Sequence, residues 1–139
     1  LHTLFECNAE PGLTDLLLEE DGRPALQQTQ VEGLQLLASG PLPPNPADLL
    51  GSQKIDQIIT LLAGMADVVL FDAPPVMAVT DAAVLGAKVD GVLLVISAGK
   101  TRREHAERAK EMLEKANARI VGAALTNAPK DGSIGGYYE

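Results

Sequence analysis

The chain has 139 residues, 46% of them hydrophobic, which suits one folded domain with one core and excludes a disordered chain. Its net charge is −8 at pH 7, with residues 1–64 at −7 and the remainder at −1, a balance that argues against nonspecific nucleic-acid binding, which needs a basic face. No apolar run approaches the roughly 20 residues needed to cross a membrane as a helix. The single cysteine, Cys7, has no partner for an internal disulfide and is read as a buried structural thiol in a reducing compartment.

In chain order, residues 1–12 are mixed and close on the turn Pro11-Gly12. Leu13, Leu16 and Leu17 then predict a short helix over Gly12 to Glu20, capped by Thr14 or Gly12. Val31 to Ala38 reads as a weaker strand. Ser39 to Pro46 holds four prolines in eight residues and must be a rigid, non-helical connection. Asn45 and Pro46 start a helix as cap and first residue, with Asp48 in the first turn. Ile55, Ile58, Ile59 and Leu62 give it one apolar face, and Gly64 ends it.

Asp67-Val68-Val69-Leu70-Phe71-Asp72-Ala73-Pro74-Pro75-Val76 follows. Four apolar residues between acids and Pro-Pro predict a strand buried on both faces, with Asp72 at its carboxyl end. In open α/β sheets ligands sit outside the carboxyl ends of strands, and a carboxylate there can hold Mg²⁺ or its water shell against a nucleotide phosphate. Accepting hydrogen bonds from its own loop is the alternative role for Asp72.

Thr80 is expected to cap a helix over Asp81 to Lys88, with Val84 and Leu85 inward. Val92 to Ile96 is a second apolar strand. Thr101 and Glu104 predict a capping box for a helix over 102–116, with Ala106, Ala109, Met112, Leu113 and Ala116 as its inward stripe. Glu104–Arg108 and Glu111–Lys115 are its expected i,i+4 pairs. Ile120 to Leu125 is the last strand, and Lys130 to Glu139 a loose, glycine-containing tail that carries Tyr137 and Tyr138. Strand and helix alternate about four times, which predicts a parallel sheet with helices on both faces.

Gly99-Lys100-Thr101 sits between a strand and a helix, as a phosphate-binding loop would, but Leu94 occupies the place of the required first glycine. No Gly-x-x-x-x-Gly-Lys-Ser/Thr occurs in the sequence. His2 and His105 lack partners at metal-ligand spacing, and Ser39, Ser52, Ser97 and Ser133 lack a nucleophile motif around them. Two adjacent tyrosines outside the core suggest that the tail is used.

Several phrases together resemble one family: Leu1-His2 with Phe5, Gly12-Leu13-Thr14-Asp15-Leu16-Leu17, Gly40-Pro41-Leu42-Pro43-Pro44-Asn45-Pro46 through Leu50, Phe71-Asp72-Ala73-Pro74-Pro75-Val76, and Asp90-Gly91-Val92 onward. They are similar to the bacterial tyrosine autokinases of capsular and exopolysaccharide synthesis. The resemblance implies a P-loop NTPase-like fold that lacks the N-terminal phosphate-loop strand and helix. Residues 1–129 would be the C-terminal part of a kinase domain, and 130–139 a flexible tyrosine-containing tail. It implies Asp72 as the Walker B acid that orders Mg²⁺, Asn127 as the adenine contact, and Tyr137 and Tyr138 as phosphoacceptors for the γ-phosphoryl of ATP.

It also implies a membrane-spanning co-polymerase or activator partner, fused or separate. A homo-oligomeric parent at the inner face of the cell membrane would follow. The phosphate-gripping lysine and the base for the tyrosine hydroxyl would lie upstream of Leu1, so the 139 residues alone are expected to be inactive. Related alternatives are a partition- or division-type ATPase and a non-catalytic interaction domain that has lost its nucleotide site.

Overall fold

The computed structural model describes residues 1–19 and 22–128. It divides into two compact units, Leu1–Leu70 and Phe71–Glu139.

In the first unit, α1 (Leu13–Leu18), the strands β1 (Gln27–Gln28) and β2 (Gln35–Leu36), and the helices α2 (Pro46–Gly51) and α3 (Gln53–Ala63) surround one small core. Leu16, Leu36, Ala38, Ile55, Ile58 and Leu62 are its buried members. Helix α1 starts on Gly12, whose N–H donates to Asp15 Oδ2 at 2.7 Å. The free amides of its first turn are answered from outside the helix: Leu13 N–H by Ala38 O at 2.8 Å and Thr14 N–H by Ser39 O at 2.9 Å. Gly12 is required there for space, since a Cβ would fall on Gly40 N and Ala38 O.

Two expectations change in this unit. The strand over Val31 to Ala38 shrinks to Gln35–Leu36, paired antiparallel as Gln27↔Leu36 and Gln28↔Gln35. Gly33, at φ +76°, turns the chain within the expected strand, so Val31 belongs to the hairpin loop. The single helix from Pro46 to Ala63 is broken at Ser52, which is extended at ψ 163°. Its hydroxyl and N–H both donate to Leu49 O, at 2.7 and 3.2 Å, and so compete with helix continuation. Asn45 occupies the N-cap position of α2 without a side-chain cap bond, and Gly64 ends α3 as expected. Cys7 is half-buried rather than buried; its Sγ donates to Phe5 O at 3.4 Å.

The second unit contains α4 (Asp81–Gly86), β3 (Val92–Ser97), α5 (Arg103–Lys115) and β4 (Ile120–Thr126). Strands β3 and β4 pair in parallel, from Val92↔Ile120 to Ser97↔Thr126, with one register shift after Val92. Helix α5 is the crossover that a parallel pair requires. Val76, Ala109, Leu113 and Ala118 form the buried cluster, with Ala82, Ala83, Val92, Leu94, Met112 and Ile120 packed against it. The α/β class, the parallel strands and the inward stripe of α5 follow the sequence expectation. Among the described residues helices cover one face of this pair; Leu93, Val95, Val121 and Leu125 on the alternate positions are exposed.

Val68–Phe71 is the main correction. It forms no strand among the described residues; Val68 is 72% exposed and Leu70 87%. An apolar run becomes a buried strand only when neighbours on both sides satisfy its N–H and C=O groups and bury its two faces. A second correction concerns α5. Its N-cap is Arg102, and the Thr101–Glu104 capping box does not form. Thr101 belongs to the preceding turn, and its Oγ1 accepts from Ser97 N–H at 3.2 Å. The ion pairs on α5 are Arg103–Glu107 at 2.9 Å and Lys110–Glu114 at 3.4 Å, not the pairs expected from spacing.

Candidate functional site

Strands β3 and β4 end side by side at Ser97 and Thr126, and the carboxyl end of a parallel pair is where α/β folds bind ligands. Three cross-strand bonds lace these ends together. Ala98 N–H donates to Thr126 O at 2.8 Å, Thr126 Oγ1 to Ile96 O at 3.4 Å, and Asn127 Nδ2 to Ser97 Oγ at 3.0 Å. On the other side, Gly99 at φ +71° bends the chain back. The N–H groups of Lys100 and Thr101 then donate to Ser97 O at 3.2 and 2.9 Å. Ser97 is thus held through its N–H, its C=O and its hydroxyl. Asn127 sits at φ +55°, a left-handed conformation that asparagine tolerates better than most residues. It is exposed, and its Oδ1 accepts no bond among the described residues.

Asp72 lies on the irregular stretch after Leu70, exposed to solvent. Four residues further on, Val76 is buried against Ala109, Leu113 and Ala118, and this anchors the loop to the second unit. No hydrogen bond among the described residues joins Asp72 to the Ser97–Asn127 pair. Tyr137 and Tyr138 lie outside the described residues. His105 is exposed on α5 and His2 is half-buried in the first unit.

Among the described residues no three His, Cys, Asp or Glu side chains converge as a metal cage. A lone exposed carboxylate at Asp72 does fit Mg²⁺, which takes one or two carboxylates and completes its shell with phosphate oxygens and water. Asn127 leaves an exposed amide at the strand end, and the sequence has no Gly-x-x-x-x-Gly-Lys-Ser/Thr loop to cradle the phosphates of a nucleotide. The residues present therefore offer one exposed carboxylate and one exposed amide, and no phosphate cradle.

Ser97 is the residue that sequence reading passed over, because no motif surrounds it. The available signal was positional: a hydroxyl at the last residue of a strand, separated by Ala98-Gly99 from Lys100-Thr101.

Comparison with known proteins defines the class. No protein-family model matches the chain. It is 41% identical over 126 residues to the tyrosine-protein kinase YwqD of Bacillus subtilis, covering 90% of this chain and 53% of that protein. The kinase domain of the Escherichia coli tyrosine kinase ETK superposes with a TM-score of 0.82 at 31% identity, over 94% of this chain and 53% of that one. The chimerical protein CapA2B2 superposes with a TM-score of 0.85 at 31% identity, over 93% of this chain and 57% of that one. The chain is thus related, over almost all of its length, to bacterial tyrosine-protein kinases, and its α/β fold matches their kinase domains, of P-loop NTPase type. It spans only part of the curated relatives it matches, from 60% and 53% of two of them down to 18% of the tyrosine-protein kinase etk of Escherichia coli.

Proposed function

We propose that these residues form the C-terminal part of an ATP-dependent protein-tyrosine autokinase that regulates capsular or exopolysaccharide synthesis and export. The single observation that carries this reading is the near-whole-chain similarity to tyrosine-protein kinases. The exposed carboxylate of Asp72 and the strand-end amide of Asn127 are consistent with it.

In this reading Asp72 orders Mg²⁺ through its water shell, and Asn127 contacts adenine. Bound ATP supplies the γ-phosphoryl. The tyrosine oxygen of Tyr137 or Tyr138 forms the new bond to phosphorus, the bond to the β–γ bridging oxygen breaks, and ADP leaves. The hydroxyl proton passes to a carboxylate base outside these 139 residues. Positioning and charge neutralisation supply most of the rate in such transfers. The phosphate cradle is absent from this sequence, so the chain alone does not turn over. The parent assembles as a homo-oligomer and works at the inner face of the cell membrane through a membrane-spanning partner, fused or separate. Among the described residues no helix is long and apolar enough to cross a membrane.

The test is a phosphotyrosine blot of the intact gene product. Asp72→Asn should abolish the signal, and Tyr137→Phe with Tyr138→Phe should lower it. The 139-residue chain incubated with ATP and Mg²⁺ should give none. Strong autophosphorylation of that chain alone, or an undiminished signal from the Asp72→Asn protein, would overturn the reading.

A further inference from the structure

We propose that the proline strap Pro41-Leu42-Pro43-Pro44 is a docking motif, read by a partner protein that presents a groove walled by aromatic side chains. The proposal goes beyond the kinase reading and stands independently of whether Asp72 meets a nucleotide.

The conformation of the strap follows from its residues. Each proline fixes its own φ near −65°, and a residue that precedes a proline is kept extended. Leu42 precedes Pro43, and Pro43 precedes Pro44. These restraints favour a polyproline II helix, which has three residues per turn. Burial follows that period. Pro41 and Leu42 are exposed and Pro43 is half-buried; Pro44 and Asn45 are exposed and Pro46 is half-buried. Every third residue thus faces the first unit, and two ridges stand in solvent, Pro41 with Pro44 and Leu42 with Asn45. Leu42 is 90% exposed, the highest value among the exposed large hydrophobic residues described. A connection that served the fold alone would gain by turning the leucine onto the core, but Pro43 takes that side.

Both ends of the strap are held. Ser39 O accepts from Thr14 N–H at 2.9 Å. Gly40, at φ +77°, lies so close to the start of α1 that a Cβ would meet Asp15 Oδ2 and Thr14. At the far end Pro46 opens α2. Little conformational freedom is therefore left to lose on docking. Among the described residues no backbone hydrogen bond engages positions 41–44, so their carbonyls are open to the N–H and O–H donors of tryptophan and tyrosine. Proline at the first and fourth positions is the spacing that aromatic-lined grooves read, each exposed ridge slotting between rings. Charge narrows the partner further. No lysine or arginine lies between Arg23 and Lys54, and Asp48 is exposed just past the strap. The groove that fits has an uncharged or basic rim, not an acidic one.

The probes are two small domains with such grooves, an SH3 domain and a WW domain, each ¹⁵N-labelled and titrated with the unlabelled 139-residue chain. At least one should show saturable shifts at its groove aromatics, reversed by a proline-rich peptide that occupies the same groove. Pro41→Ala with Pro44→Ala should weaken that association about tenfold or more. Leu42→Ala should weaken it also, and it stands in if the double variant loses its helical circular dichroism, because a side chain 90% exposed leaves the core untouched. Val31→Ala, at an exposed apolar residue elsewhere in the first unit, should change nothing. The proposal is overturned if neither domain responds, if the shifts fall outside the groove, or if folded strap variants bind as tightly as the parent chain.

Discussion

Individual residues divide into those held by backbone and those held by burial. Gly12 is of the first kind. It has an ordinary extended φ of −149°, so its role is space and not conformation. An alanine Cβ there would meet Gly40 N and Ala38 O, both backbone atoms that cannot swing away. Gly12→Ala should therefore destabilise the first unit by about 2 kcal/mol or more, read as a fall in the urea midpoint. Leu113 is of the second kind, fully buried between α5 and the strand pair. Leu113→Ala should cost about 3 kcal/mol, because the cavity left among Val76, Ala109 and Ala118 cannot fully close. By contrast, Asp72→Asn should leave stability within about 0.5 kcal/mol, since the carboxylate is exposed. A large loss of stability on that change would mean that Asp72 serves the fold and not a ligand.

At the scale of elements, α5 shows which sequence signals compete. Its inward stripe follows the 3.6-residue period, while its start and its ion pairs do not follow the capping and spacing rules. The stripe is fixed by burial of Ala109 and Leu113, worth several kcal/mol. The cap and each exposed pair are worth a fraction of that and yield to the turn closing on Ser97. Glu107→Ala should accordingly change the thermal midpoint by no more than about 2 °C, because its pair with Arg103 is solvent-exposed and worth about 0.3–0.5 kcal/mol. The β3–β4 pair carries a larger consequence. Leu93, Val95, Val121 and Leu125 project from one face and are exposed. Contiguous exposed apolar surface on a strand pair favours self-association. Leu93→Lys with Val121→Lys should lower the apparent mass of the concentrated chain in sedimentation, with little change in helical circular dichroism. An unchanged mass would show that this face does not drive association.

For the molecule as a whole, the two units meet in sequence at Leu70 and Phe71, inside the stretch expected to be a strand buried on both faces. The segment is irregular and its apolar side chains Val68 and Leu70 are exposed. Limited chymotrypsin digestion should cut first between Asp67 and Phe71, ahead of sites in α3 or α5, and mass spectrometry would identify the two halves. First cleavage within α5 would contradict this.

The sequence by itself determined the α/β class, the parallel β3–β4 pair, the apolar faces of α3 and α5, and the kinase resemblance. These follow from local periodicity, strand composition and quoted phrases, which need no knowledge of distant neighbours. Asp72 was legible as a candidate for the same reason, standing just past an apolar run, whereas Asn127 came only from the family resemblance. Only the tertiary structure decided that Val68–Phe71 forms no buried strand, that Ser52 breaks the second helix in two, and that Ser97 joins Asn127 across the strand ends. A buried strand, a helix break and a cross-strand hydrogen bond depend on partners remote in the chain or on competing backbone bonds. Residue identity fixes what a side chain can donate, accept or bury, and only the folded backbone fixes what stands opposite it.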